Sequence, residues 1–431
     1  MPSLPRVLFL RPYHAHNFLS LVRPLFLPTV PANPADLPGL QAVHASSGHN
    51  VGNFIHTEAM PTILRFDPGG SATLSLSRTV RLRNMRWLVD VTNAEFDMVV
   101  FSAANFVRPE TDFTHEAKFF EGLKIPAVLV GAGIQEVPET GTLALKPSLQ
   151  RFLEIANANF SIFGTRGTRT AEVLHDMGLT RAEPLGCPSF YAFPRKMLSV
   201  VPPDLEAPAS VLTAGHASRR GGPGARYETL SHLLRPFAGR ARIDYVIQNE
   251  MFFGKETEAA DGFYDPVTKE LAPDWVRARF FSAAGPDTVV PRMHFFTDTS
   301  SWRMFAAQHD FYVGDRIHGA VIALQAGRPA VVVHNDTRVH ELAECIGLPG
   351  IALRDVTRDG AAALLAEALG VDSLARFRRR YAGALAGFRQ RLTEAGLLLE
   401  QSGVAVPPDG PAIGARAAAE RSLGVQAANG S

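Results

Sequence analysis

The sequence is poor in the features that would mark a disulfide-built, metal-bound or nucleic-acid-binding protein. It holds only two cysteines, Cys187 and Cys345, among 431 residues. They lie far apart and match no metal-ligand spacing, so neither a disulfide framework nor a cysteine metal site is expected. An excess of one charge is also missing, with 43 Lys and Arg against 42 Asp and Glu. A nucleic-acid binder carries a basic excess or a basic stripe. The densest basic run here, Arg376-Phe377-Arg378-Arg379-Arg380, falls in a late helical segment and reads as a solvated face. Long apolar runs are absent: Val7-Leu8-Phe9-Leu10 is too short for a signal-peptide core or a membrane span. The expectation is a cytoplasmic protein with no transmembrane segment, no nucleic-acid partner, no metal and no cofactor. Peripheral contact with a membrane through a partner is compatible with it.

What is present suits a large soluble α/β chain. Hydrophobic residues make up 46% of the sequence, and the length fits more than one domain. The first eighty residues show no clear period, apart from a loop at Ser46-Ser47-Gly48-His49-Asn50-Val51-Gly52-Asn53. Beyond them, short apolar strands alternate with helical stretches. Strands are expected at 97–102, 127–130 and 160–163, and helices near 116–123, 149–156 and 168–177. A Pro-rich passage follows, and then the alternation restarts. Strands are expected near 211–214, 243–247, 294–296, 311–313 and 330–333. Helices are expected near 227–234, 271–280, 302–307, 318–326 and 339–345. Such alternation indicates parallel sheets with crossover helices. The division read from it is a first domain over 1–187 (irregular over its first 45 residues), a linker over 188–208 and a second domain over 209–372. A terminal helix over 373–402 and a disordered tail over 403–431 complete it.

Ligands of open parallel sheets bind beyond the carboxyl ends of the strands, which selects the loops to inspect. Val313-Gly314-Asp315-Arg316-Ile317-His318-Gly319 runs from a strand end into a helix start. Helix-start N–H groups favour anions, and Arg316 adds a planar fork suited to carboxylate or phosphate. His318 can hold a proton near neutral pH, and Gly319 leaves room for close approach. The plain alternative is that Asp315 caps the helix, Arg316 pairs with it and His318 is packed. Phe163-Gly164-Thr165-Arg166-Gly167-Thr168 occupies the equivalent place in the first domain; there the plain alternative is a surface arginine beside an N-cap. Three further candidates are the Asn50-Val51-Gly52-Asn53 loop, Gln248-Asn249-Glu250 at a strand end, and His334-Asn335-Asp336-Thr337-Arg338. Asn50, Asn53, Gln248, Glu250 and Asp336 are their candidate substrate contacts, against ordinary roles in turns, solvated loops and caps.

Together these segments resemble the polysaccharide pyruvyl transferase family. The strongest match runs from Val313 to Gly319, through Leu324-Gln325-Ala326-Gly327-Arg328-Pro329 and Asp336-Thr337-Arg338, to Gly347. A second comprises Phe163-Gly164-Thr165-Arg166, Thr170-Ala171, Leu174, Gly178 and Gly186-Cys187-Pro188-Ser189. Asn50-x-Gly52-Asn53 and Gly131-Ala132-Gly133 add to them, in order. The resemblance implies two Rossmann-like domains in a GT-B-like arrangement with a cleft between them. It also implies transfer of the enolpyruvyl moiety of phosphoenolpyruvate to a glycan or lipid-linked sugar of a cell-surface or exopolysaccharide precursor. The family's Arg-Leu-His motif is matched by Arg316-Ile317-His318, with Arg166 as a further arginine and His318 as the acid. Ile317 stands for the usual Leu, and Asn53 stands where many relatives carry Asp. Two other functions share the architecture: a GT-B glycosyltransferase using a nucleotide sugar, and a non-catalytic glycan-binding member of the family.

Overall fold

The computed structural model describes residues 3–10, 47, 50–76, 79–80, 84–134, 143–217, 224–250, 260–335 and 337–400. The first domain is built from β1 (Val7–Leu10), α1 (Asn53–Ile63), β2 (Ala72–Leu74), α2 (Met85–Glu95), β3 (Met98–Ser102), α3 (Thr114–Glu121), β4 (Ala127–Ala132), α4 (Pro147–Asn159), β5 (Ile162–Thr165), α5 (Thr168–Asp176) and β6 (Ala182–Pro184). A 3-10 turn (Pro188–Tyr191) and α6 (Pro194–Leu198) lead into the second. That domain carries β7 (Ser210–Thr213), α7 (Ala225–Leu234), β8 (Arg242–Val246), α8 (Pro273–Phe280), β9 (Arg292–His294), α9 (Thr299–Ala306) and β10 (Phe311–Gly314). It continues through α10 (Ile317–Gln325), β11 (Ala330–His334), α11 (Thr337–Ile346), β12 (Gly350–Ala352) and α12 (Ala361–Ala368), and α13 (Val371–Glu394) ends the described chain.

Each domain holds a six-stranded, wholly parallel sheet, in the orders β2-β1-β3-β4-β5-β6 and β12-β11-β10-β7-β8-β9. Parallel strands are covered on both faces, which requires apolar side chains at every position rather than at alternate ones. The first sheet shows the two sides directly. Val99, Phe101, Leu129 and Phe163 feed one core. Val100, Val128, Val130 and Ile162 feed a second, which continues into the other domain. The expected α/β class with two Rossmann-like units is therefore present. In both sheets the winding reverses direction, between β1 and β3 and between β7 and β10. Such reversals open a crevice at the carboxyl edge.

Two expectations need correction. Val7–Leu10, inside the stretch taken as irregular, is a buried strand paired with both β2 and β3. The 188–208 passage, expected as a linker, does run between the two sheets, but its first half is helical rather than irregular. Pro188 and Pro194 each open a helical turn, where a missing N–H costs nothing, and Phe190, Tyr191, Met197 and Val200 are buried. The terminal helix is present as α13. It buries Leu374, Phe377, Tyr381, Leu385, Phe388 and Leu392 along one stripe. It ties to the first domain through Arg391, whose Nε lies 2.8 Å from Glu183 and whose Nη2 bonds the Ser161 carbonyl. The 403–431 segment lies outside the described residues. Among those residues, no helix is long and apolar enough to cross a membrane, and no group of His, Cys, Asp and Glu could hold a metal ion.

Candidate functional site

The reversal between β7 and β10 places two turns side by side. Gly314 closes β10 against β7, and a Cβ there would lie 2.3 Å from the Ala214 carbonyl oxygen. Asp315 is buried just beyond. Its Oδ2 faces His216 Nδ1 at 2.6 Å and Arg226 Nε at 3.2 Å, while its Oδ1 has no hydrogen-bond partner among the described residues. Arg316 turns back across the reversal. Its Nε donates to the Gly215 carbonyl at 2.8 Å, and Nη2 donates to Asn249 Oδ1 at 2.5 Å and to Glu250 Oε1 at 3.1 Å. Glu250 is itself buried and fixed by Tyr245 Oη at 2.7 Å and the Gln248 and Asn249 amides. Glu250 therefore orients Arg316. Gln248 is wholly buried, its carbonyl accepts from Val51 N, and its side-chain amide has no partner among the described residues.

His318 sits in the first turn of α10, partly buried, facing the first domain. Its Nε2 lies 3.0 Å from His56 Nε2, with the two rings edge to face at 5.1 Å. His56 belongs to α1 and is buried. Its Nδ1 lies 3.1 Å from Cys187 Sγ, which lies 3.0 Å from Ser189 Oγ. Gly52, at the start of α1, packs against the His318 ring so closely that a Cβ would fall 2.1 Å from Nδ1. Arg166, buried after β5, donates through Nε to the Gly131 carbonyl at 3.2 Å and through Nη1 to Asn105 Oδ1; its Nη2 points at His56 Nε2, 3.4 Å away. Gly133 admits this arginine, since a Cβ there would be 2.5 Å from Arg166 Cδ.

Burial and neighbouring cations set the protonation of this group. Burial first, then Arg166, Arg338 and Arg316, pushes His318 down to about 3. Burial, with Arg166 and His318, pushes His56 well below the usual imidazole range. Burial raises the Cys187 thiol, which stays protonated. Without a bound anion, both imidazoles are thus neutral at neutral pH.

The candidates among the described residues fall into three groups. Arg166, Arg316 and His318 converge on the seam between the domains. Asn50, Asn53, Gln248 and Glu250 surround them in supporting positions. Asn50 Oδ1 accepts from Gly52 N at 2.8 Å, and Asn53 Nδ2 donates to the Ser47 carbonyl at 2.8 Å, so both shape the loop that carries Gly52. Ile317 is buried in the apolar core, and Gly319 lets α10 lie on Tyr312, whose ring would be 2.6 Å from a Cβ. Asp336 lies outside the described residues. Sequence reasoning passed over His56, Asn105 and Cys187 as site residues. None of the three stood out in the sequence: His56 follows Asn53 by three positions, about one turn along the same helix face, but that helix is buried nearly all round.

The polysaccharide pyruvyl transferase family model matches residues 73–337. None of the curated proteins compared with the chain matches it. Among solved structures, the chain is similar to the UDP complex of MnaA from S. aureus, at 14% identity and a TM-score of 0.42 over 88% of this chain and 91% of that one. It is also similar to an α,α-trehalose-phosphate synthase (UDP-forming) from Burkholderia vietnamiensis, at 13% identity and a TM-score of 0.40 over 81% and 80%. A UDP-GlcNAc 2-epimerase from Methanocaldococcus jannaschii is a third, at 12% identity and a TM-score of 0.38 over 70% and 78%.

Proposed function

Since the chain belongs to the polysaccharide pyruvyl transferase family, we propose that it moves the pyruvyl group of phosphoenolpyruvate onto a sugar of a cell-surface or exopolysaccharide precursor, forming a pyruvate ketal and releasing phosphate. One observation supports this reading above the rest. An imidazole, His318, stands at the seam of the domains within the field of three guanidiniums, Arg166 from the first and Arg316 and Arg338 from the second. Phosphoenolpyruvate carries a carboxylate and a phosphate close together, and guanidinium forks suit both. His318 is kept neutral first by burial and then by these guanidiniums; the ligand's negative charge offsets the guanidinium field and favours a proton on the imidazole as it binds.

The reaction then follows in balanced steps. His318 gives its proton to the methylene carbon, which becomes a methyl group and leaves an oxocarbenium-like centre at the adjacent carbon. A sugar hydroxyl adds there and its proton returns to His318. A second hydroxyl displaces phosphate, which carries off that hydroxyl's proton, and closes the ketal. Acid catalysis by a positioned group contributes about 10²–10⁴-fold. Incubation with phosphoenolpyruvate and a mixture of acceptor glycans is expected to release phosphate only when both are present, with the ketal appearing on the acceptor. Thermal stabilisation by nucleotide sugars and none by phosphoenolpyruvate, without phosphate release, would overturn the reading in favour of a glycosyltransferase.

A further inference from the structure

The contact between the two imidazoles has a direction that can be worked out from donors and acceptors alone. Two Nε2 atoms 3.0 Å apart hold one proton between them, so one ring donates and the other accepts. Arg166 settles which. A guanidinium has no acceptor, and its Nη2 points at His56 Nε2 from 3.4 Å. His56 Nε2 must then present its lone pair. The rest of the chain agrees. Neutral His56 carries its proton on Nδ1 and gives it to Cys187 Sγ at 3.1 Å, while the thiol proton can go to Ser189 Oγ at 3.0 Å. Each group along this line donates once, and the donors do not face one another. His318 is therefore the Nε2–H tautomer.

Resting on the pyruvyl-transfer reading for its catalytic part, we propose that His56 is the positioning residue of this site. Its Nε2 accepts the Nε2–H of His318, fixes the ring, and leaves His318 Nδ1 as the atom that takes up and delivers the proton. A base held in one tautomer by a partner's acceptor is the logic of catalytic triads, with a neutral imidazole here in the place of a carboxylate. Gly52 fits the same scheme. It lies on the Nδ1 edge of His318, and any side chain there would displace the ring. His56 reaches this position because α1 crosses to the second domain. Two residues further on, Glu58 of the same helix pairs with Arg303 of α9, with Nη1 to Oε2 at 3.0 Å, so the helix is tied to the second domain close to the imidazole contact.

The test has a part that needs no substrate. In protein labelled with ¹⁵N at histidine, the His318 signals, identified by their loss in His318→Ala, should report the Nε2–H tautomer at neutral pH. The Nδ1–H tautomer would overturn the assignment whatever the enzyme does. With substrates, His56→Leu should lower kcat about 10²-fold with KM for phosphoenolpyruvate within about twofold. His56→Gln, which keeps an acceptor, should recover about tenfold of that loss. Equal activity of the Gln and Leu variants would overturn the proposal. If wild-type protein releases no phosphate with any acceptor, the pyruvyl-transfer reading fails, while the tautomer measurement still decides the role of His56.

Discussion

Two helix starts, one in each domain, look alike in sequence: a strand, an arginine and a helix. They differ in what already occupies them. At α5, Glu341 reaches across from α11 of the second domain, with Oε1 2.7 Å from Thr170 N and Oε2 3.0 Å from Thr170 Oγ1. Gly167 makes room for it, since a Cβ there would be 2.5 Å from Glu341 Cγ. The positive end of that helix has therefore been given a carboxylate by the protein itself. At α10 the N-cap is Arg316, whose side chain makes no capping bond and instead joins Glu250 and Asn249. Equivalent positions in two repeated folds have parted: one serves the contact between domains, and the other is where, on the proposed function, an anion from outside binds. Arg166 takes part in the site even so, because its side chain turns away from its own helix toward His56.

This contrast can be broken or sharpened by experiment. The largest effect is expected for His318→Ala, a loss of about 10²–10⁴-fold in kcat with an unchanged circular dichroism spectrum; near-normal phosphate release would remove it from the acid role. Next, Arg316→Lys should raise KM for phosphoenolpyruvate about tenfold, equivalent to about 1.4 kcal/mol, because an ammonium cannot reproduce the fork. An unchanged KM would count against direct contact. Glu341→Gln should cost about 1 kcal/mol of stability in urea, as the loss of a capping group does, and leave KM alone. Should KM rise as it does for Arg316→Lys, α5 is a ligand seat as well and the contrast collapses.

Stability should also depend on pH. His318 binds a proton near 6.5 when unfolded and near 3 when folded, so the unfolded state holds more protons across that window. Stability then falls as pH drops from about 6.5 toward 3. Urea midpoints should show a shallower slope for His318→Ala. His56, shifted in the same direction, adds to the effect.

The fold was legible where strands are buried on both faces. Apolar runs such as Val99-Val100-Phe101 and Val331-Val332-Val333, each ending near a turn, need no partner information to be read. Val7–Leu10 is an equally buried run, but no readable helix follows it, so nothing local distinguished it from a short apolar patch. Pro188 and Pro194 fell in the passage expected as a linker, because a proline that starts a helix and one that ends it look the same without the flanking pattern. In the site, Arg316 and His318 were readable from the strand–turn–helix setting. His56 was not, because α1 is buried nearly all round and its period offers no contrasting polar face on which a functional residue would stand out. The partner of His56 lies 262 positions away, and only the packing of the two domains brings them together.

The long helix α13 has a consequence for how the molecule comes apart. Its Tyr381 hydroxyl bonds the Phe190 carbonyl and its Arg378 bonds the Val200 carbonyl, while Arg391 holds Glu183 in the first sheet. The chain beyond it returns to α1, where Glu400 N bonds the Ile63 carbonyl. One hydrophobic core, moreover, runs from Val7 and Val100 through to Val332 and Phe388. Neither half can then melt while the other stays native without exposing a shared interior. Calorimetry on the whole chain should record a single cooperative endotherm, with equal calorimetric and van't Hoff enthalpies, where two loosely tethered domains would give two.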